Sequence, residues 1–169
     1  MAKSEISRQI TVHKIIYGSL IMLKNNIQKA LLGGFIGTII FTVMGQLIAP
    51  HIIGFPMNVG KMIAGMIHSP ESVGIMIHFV MGTILFPISY LLIGYDRISG
   101  PGWLKGLIFL IPIYLVAMLV VVPMAGKGLF FHSLPAAMIA LMGHLVYGAI
   151  MGSIIGTPKN SQNEVVSQN

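Results

Sequence analysis

Four apolar runs constrain this chain more than any other feature, because each has about the twenty residues a helix needs to cross a bilayer. They extend roughly from Ala30 to Ala49, Ser72 to Gly94, Gly102 to Val122 and Ala136 to Gly156. Proline or glycine punctuates every boundary: Pro50, Pro70, Gly100-Pro101-Gly102, Pro123, Pro135 and Pro158. Only 8% of the 169 residues are charged, where a soluble domain carries about 25%. So few charges cannot cover a water-facing surface, which excludes an ordinary soluble domain and a disordered chain. The net charge of +6 does not mark a nucleic-acid binder, since the basic residues are scattered at the ends of apolar runs.

The counts narrow the chemistry further. There is no cysteine, hence no disulfide, thiolate nucleophile, Cys-ligated zinc or iron–sulfur cluster. The four acids, Glu5, Glu71, Asp96 and Glu164, all lie outside the apolar runs. That disfavours a carrier with a buried carboxylate and a hydrolase with paired carboxylates. No phosphate-binding loop, nucleophile elbow or zincin motif occurs.

Lysine and arginine set the expected orientation. With the N-terminus inside, Lys3, Arg8, Lys14, Lys24, Lys29, Arg97, Lys105 and Lys159 are cytoplasmic, and only Lys61 and Lys127 lie outside. Both termini are therefore expected in the cytoplasm. Tyr90, Tyr95 and Trp103 fall near the inner boundary, as an aromatic belt would. Residues 1–29 read as a basic amphipathic segment on the inner surface, with Ile10, Ile15, Ile16, Leu20, Leu23 and Ile27 as its apolar face. Between the first two spans, Met57 to His68 reads as a short interfacial helix on the outer side. Residues 157–169 read as a disordered polar tail.

A short pattern recurs. Pro56-Met57 is followed by His78-Phe79-Val80-Met81-Gly82, and Pro123-Met124 by His144-Leu145-Val146-Tyr147-Gly148, about 20 residues on in each case. The expected fold is all-α: four transmembrane helices built as two parallel helical-hairpin repeats, about 30–95 and 102–156 within a 30–156 domain. Residues four apart share a helix face. One face of the first span therefore carries Gly34, Thr38, Thr42 and Gln46, and should look inward because a lipid-facing glutamine is costly. The second span sets Gly74, His78 and Gly82 in one strip, and the fourth Ala140, His144, Gly148, Gly152 and Gly156. Small residues let helices approach closely, and Tyr147 adds a polar group to the inward set.

His78 and His144 are the candidate cofactor or metal ligands. At 1.5 Å per residue both lie roughly 9–12 Å below the outer ends of their helices, and a square bundle sets their helices about 13–14 Å apart on the diagonal. That gap suits two imidazoles on one iron, so haem b is the cofactor to consider. The plainer reading is that each histidine hydrogen-bonds a neighbour: Tyr147, Thr42, Gln46 or a backbone carbonyl. Thirteen methionines offer soft donors for Cu(I), and equally serve as adaptable apolar filler.

Several local motifs, taken together, carry a resemblance. They are P-M-N-V-G-K-M-I-A-G-M after the first span, H-F-V-M-G in the second, G-W-L-K-G-L opening the third, V-P-M-A-G-K-G-L-F after it, and G-H-L-V-Y-G in the fourth. Across roughly residues 30–156 the chain resembles a family of small four-helix bacterial membrane proteins of unknown function. The resemblance implies a place in the bacterial plasma membrane and assigns no activity. The resulting expectation is a non-enzymatic accessory or scaffold component of a larger membrane complex. A bis-histidine haem or metal protein and an oligomeric transporter or channel are the alternatives. Its surroundings would be the lipid bilayer and either a membrane-protein partner or further copies of itself.

Overall fold

The computed structural model describes residues 25–158, so the amphipathic segment expected up to residue 24 and the polar tail from residue 159 lie outside the described residues. Within them the regular structure is helical. Helix α1 covers Asn25–Ile53, α2 Val59–Met66, α3 Glu71–Gly94, α4 Gly102–Met124 and α5 Leu134–Ile155, with a tight turn at Leu129–His132 whose Phe130, Phe131 and His132 have left-handed backbone (φ 51°, 60° and 48°). Four of the helices, α1, α3, α4 and α5, are long and apolar enough to cross a membrane. Residues 25–29 open α1 instead of closing a separate segment. The outward faces carry large apolar side chains such as Leu32, Leu47, Leu92, Ile93, Val116 and Leu119, a surface suited to hydrocarbon.

Prolines shape three of the long helices. Stretches of π-helix at Met44–Ile48, Met81–Leu85 and Ala117–Val121 each end two residues before a proline, at Pro50, Pro87 and Pro123. Proline has no N–H and its ring crowds the carbonyl four residues back. Widening the preceding turn to a five-residue hydrogen bond, as from Phe86 N–H to Met81 O, accommodates the ring. Pro112 sits inside the α-helical part of α4 without such a stretch. The two Pro-Met pairs are placed differently: Pro123-Met124 closes α4, whereas Pro56-Met57 lies in the connection after Gly54 (φ 81°) has ended α1. Pro50 and Pro123 instead share a local setting, each two residues after a π-helical stretch.

Glycines set the helix neighbours. A Cβ at Gly34 would strike Pro87 and the Gly82 carbonyl, so α1 lies on α3, and one at Gly33 would meet the Met151 backbone, so α1 also lies on α5. Gly148 and Gly152 meet Gly102 and Gly106 backbone to backbone, which seats α5 on α4. Helix α4 returns to α3 chiefly near one end, where Tyr90 and Phe109 pack edge to face with ring centres 5.3 Å apart. The order round the bundle is therefore α1, α3, α4, α5, with α3 and α5 diagonal. Helix α2 lies across the other end, its Gly60 and Ala64 against Gly74 of α3. Asn58 holds it there: its Oδ1 accepts the Lys61 N–H at 2.8 Å and its Nδ2 donates to Glu71 Oε1 at 2.7 Å.

The last carbonyls of α3 are taken by cations, as the helix dipole favours. Arg97 donates to the Leu92 and Ile93 carbonyls, and the buried Lys105 donates from Nζ to the Tyr95 carbonyl at 2.9 Å. Burial, reinforced by the Asp96 carboxylate, pushes the Tyr95 phenol above its ordinary value and keeps it protonated.

Candidate functional site: an apolar cavity with two imidazoles

Where α3 and α4 part, the bundle encloses a cavity of about 550 Å3. Its floor is Tyr147, Phe86 and Leu110, its roof Met57, Met62, Met66 and Phe131, and its walls come from all four long helices. The side chains around it are almost entirely apolar; the polar ones are Thr38, His78, His144 and Tyr147. Methionines 44, 57, 62, 66, 81 and 118 line much of it. The exposed Val116 and Ile67 stand at its edge, so it opens sideways between α3 and α4.

The floor is a tie across the diagonal. The Tyr147 hydroxyl of α5 donates to the Gly82 carbonyl of α3, and Phe86 packs edge-on against the Tyr147 ring at 6.4 Å. A glycine is needed at position 82, because Thr38 of α1 fills the place a Cβ would take. Thr38 is 1% exposed and donates to the Gly34 carbonyl at 2.7 Å.

Above the floor sit the histidines. His78 lies seven residues into α3 and His144 ten residues into α5, about 10 and 15 Å along their helices. His144 is deeper than its sequence position suggests, because α5 starts at Leu134 and not at Ala136. Phe41 of α1 packs against both rings, with centres 5.9 Å from His78 and 5.0 Å from His144. Tyr114 of α4 covers His144 from another side at 5.5 Å, and its own hydroxyl donates to the Ala137 carbonyl at 3.2 Å. His78 Nε2 is 3.2 Å from Thr42 Oγ1, and His144 Nδ1 is 2.7 Å from the carbonyl of Ala140 in its own helix.

Of the residues singled out from sequence, Thr38, Thr42, His78, Gly82, His144 and Tyr147 converge on this region, while Gln46 is half-buried one turn beyond Thr42. Gly74 serves the roof, and Gly148 and Gly152 serve the α4–α5 seam. Phe41 is the residue the sequence did not single out, since nothing distinguishes it within an apolar run. Phe41 stands against both imidazoles, and each ring uses one nitrogen within the protein and keeps the other. Among the described residues, no group of three or more His, Asp or Glu side chains is placed to hold a metal ion.

Fold and site together define a four-helix protein of membrane-spanning proportions, enclosing an apolar cavity with two polar side chains at mid-depth. The chain belongs to DUF6789, a family of unknown function, which matches residues 24–166. Neither the curated proteins nor the solved structures contain a match.

Proposed function

We propose that this is an integral protein of a bacterial plasma membrane, with both termini cytoplasmic, that binds a small lipophilic molecule in its cavity. It does no chemistry on that molecule and acts as an accessory component, holding it for a larger membrane complex. The cavity is the observation that carries this reading. Its volume of about 550 Å3 falls in the range of small-molecule sites and is too small for a partner helix some 10–12 Å across. The sideways opening offers access from lipid. By the positive-inside argument the cavity end, with Lys61 and Lys127, faces outward and Lys29, Arg97 and Lys105 face the cytoplasm. The non-catalytic part rests on the side chains present: Glu71 and Asp96 stand at helix ends, no carboxylate lines the cavity, and the Thr42 hydroxyl beside His78 spends its proton on the Thr38 carbonyl.

Organic extraction and mass spectrometry of the detergent-purified protein test the reading. The wild type should carry a stoichiometric lipophile that Ala117→Trp, which fills the cavity from α4, loses while keeping its helical content. Equal loading of the two proteins would refute the cavity as the site.

A further inference from the structure

The hydrogens around the cavity define what its occupant must offer, on the reading that it binds a lipophile. Each hydroxyl at or beside the site has one proton, and each is spent. Thr38 donates to the Gly34 carbonyl, Thr42 to the Thr38 carbonyl and Tyr147 to the Gly82 carbonyl. With its proton committed, Thr42 Oγ1 meets His78 Nε2 as an acceptor, so Nε2 carries the hydrogen of the neutral ring. The Ala140 carbonyl accepts only, so His144 carries its hydrogen on Nδ1. What remains is a lone pair on each imidazole: Nδ1 of His78 and Nε2 of His144. His144 Nε2 has no hydrogen-bond partner among the described residues and is not among the sealed polar atoms of the core, and its ring lines the cavity.

The lining side chains therefore present acceptors and no spare donor in an apolar chamber, Gln46 lying outside that lining. A ketone, ester or quinone carbonyl would be buried without a hydrogen to receive, whereas a hydroxyl finds an acceptor. We infer that the cavity selects a lipophile bearing a hydroxyl, a phenol or a long-chain alcohol, whose O–H donates to His144 Nε2. Burial in a dry pocket makes the difference count, because an unmatched polar group loses its water without compensation. Specificity built on such a bond exceeds what apolar contact alone provides.

A matched pair of probes tests this. Tritiated 4-nonylphenol is bound to the full-length protein in nanodiscs and competed with unlabelled 4-nonylphenol or its methyl ether, 4-nonylanisole. The tail is the same and only the donor is lost. The phenol should compete about three- to tenfold better, the worth of one buried hydrogen bond. In His144→Phe the two should compete within about twofold of each other, with tail binding retained. His144→Leu, a smaller apolar side chain with no acceptor, gives the same result if the larger substitution disturbs folding. Equal competition in the wild type overturns the donor requirement and leaves the lipophile reading standing. Specific binding of neither probe overturns both. A gap that persists in both variants places the hydroxyl elsewhere and overturns the role of His144. Stoichiometric copper in the purified protein, lost with His144, makes a metal the occupant and overturns the inference as well.

Discussion

The α4–α5 seam makes one substitution decide whether backbone contact sets the bundle. A Cβ added at Gly148 would stand 2.5 Å from the Gly106 carbonyl oxygen, 2.9 Å from its carbon and 3.1 Å from the Leu107 Cα. All three are backbone atoms, so no side chain can turn aside. Ordinary contact begins at 3.4 Å, and the helices must part by roughly an ångström. A gap of that size forfeits up to about half the dispersion attraction along the seam, and overpacking of a rigid contact costs up to about 3 kcal/mol. Alanine returns about 1 kcal/mol in helix propensity, leaving about 2 kcal/mol of destabilisation. For a chain of this length that lowers Tm by about 4–8 °C. Gly65 of α2 is the control, because a Cβ there meets nothing within 4 Å. Gly65→Ala should leave Tm unchanged or raise it by up to about 3 °C. Trp103, the single tryptophan, adjoins Gly102 in the same seam and reports unfolding by fluorescence in detergent. A Gly148→Ala protein as stable as the wild type would refute the claim that backbone contact seats α5 on α4.

Tyr147→Phe removes the tie to the Gly82 carbonyl, and the loss of about 1 kcal/mol should appear as a Tm lower by about 2–4 °C. Lys105→Met frees the Tyr95 carbonyl at the buried end of α3 and should cost about 1–2 kcal/mol, whereas Arg97→Ala at the exposed cap should cost under about 0.5 kcal/mol; reversed sizes in the same thermal assay would sink the argument. Asn58→Ala removes the N-cap of α2 and the link to Glu71, and hydrogen exchange should quicken in α2 by about fivefold, from about 1 kcal/mol, with α5 unchanged.

Much of the frame was legible because bilayer-spanning helices announce themselves by length, and because four-residue spacing fixes which side chains share a face. Gly34, Thr38 and Thr42 read as an inward stripe on spacing alone, and Thr38 and Thr42 do bond along α1. The π-helical stretches were not legible as such. Those at Met44–Ile48, Met81–Leu85 and Ala117–Val121 depend on how the Pro50, Pro87 and Pro123 rings meet the carbonyls behind them, which a pattern of residue types does not encode, and a further stretch at Tyr90–Gly94 precedes no proline. The pairing of Pro56-Met57 with Pro123-Met124 shows the limit of local matching: identical dipeptides sit one in a connection and one in a helix. Lys105 read as a cytoplasmic charge, yet it is 6% exposed. Its long stem lets a cation at a helix end reach inward to a carbonyl, and sequence position says nothing of that reach.

The two halves of the site obey opposite demands, and the sequence divides them between residue types. Glycines draw α1 to α3 and α4 to α5, where helix meets helix with no room for a methyl group. Those contacts are rigid and hold the floor at Tyr147. The chamber above is lined instead by methionines, unbranched side chains that reshape around whatever fills the space. Left dry and empty, such a chamber forgoes dispersion contacts on every wall. A rigid floor, an adaptable wall, a roof held chiefly by small-residue packing and the Asn58–Glu71 link, and a lone pair at mid-depth are together what a site needs if shape is to be read loosely and one hydroxyl strictly. That division is why His144 Nε2, and not the volume of the cavity, is where ligand choice should be sought.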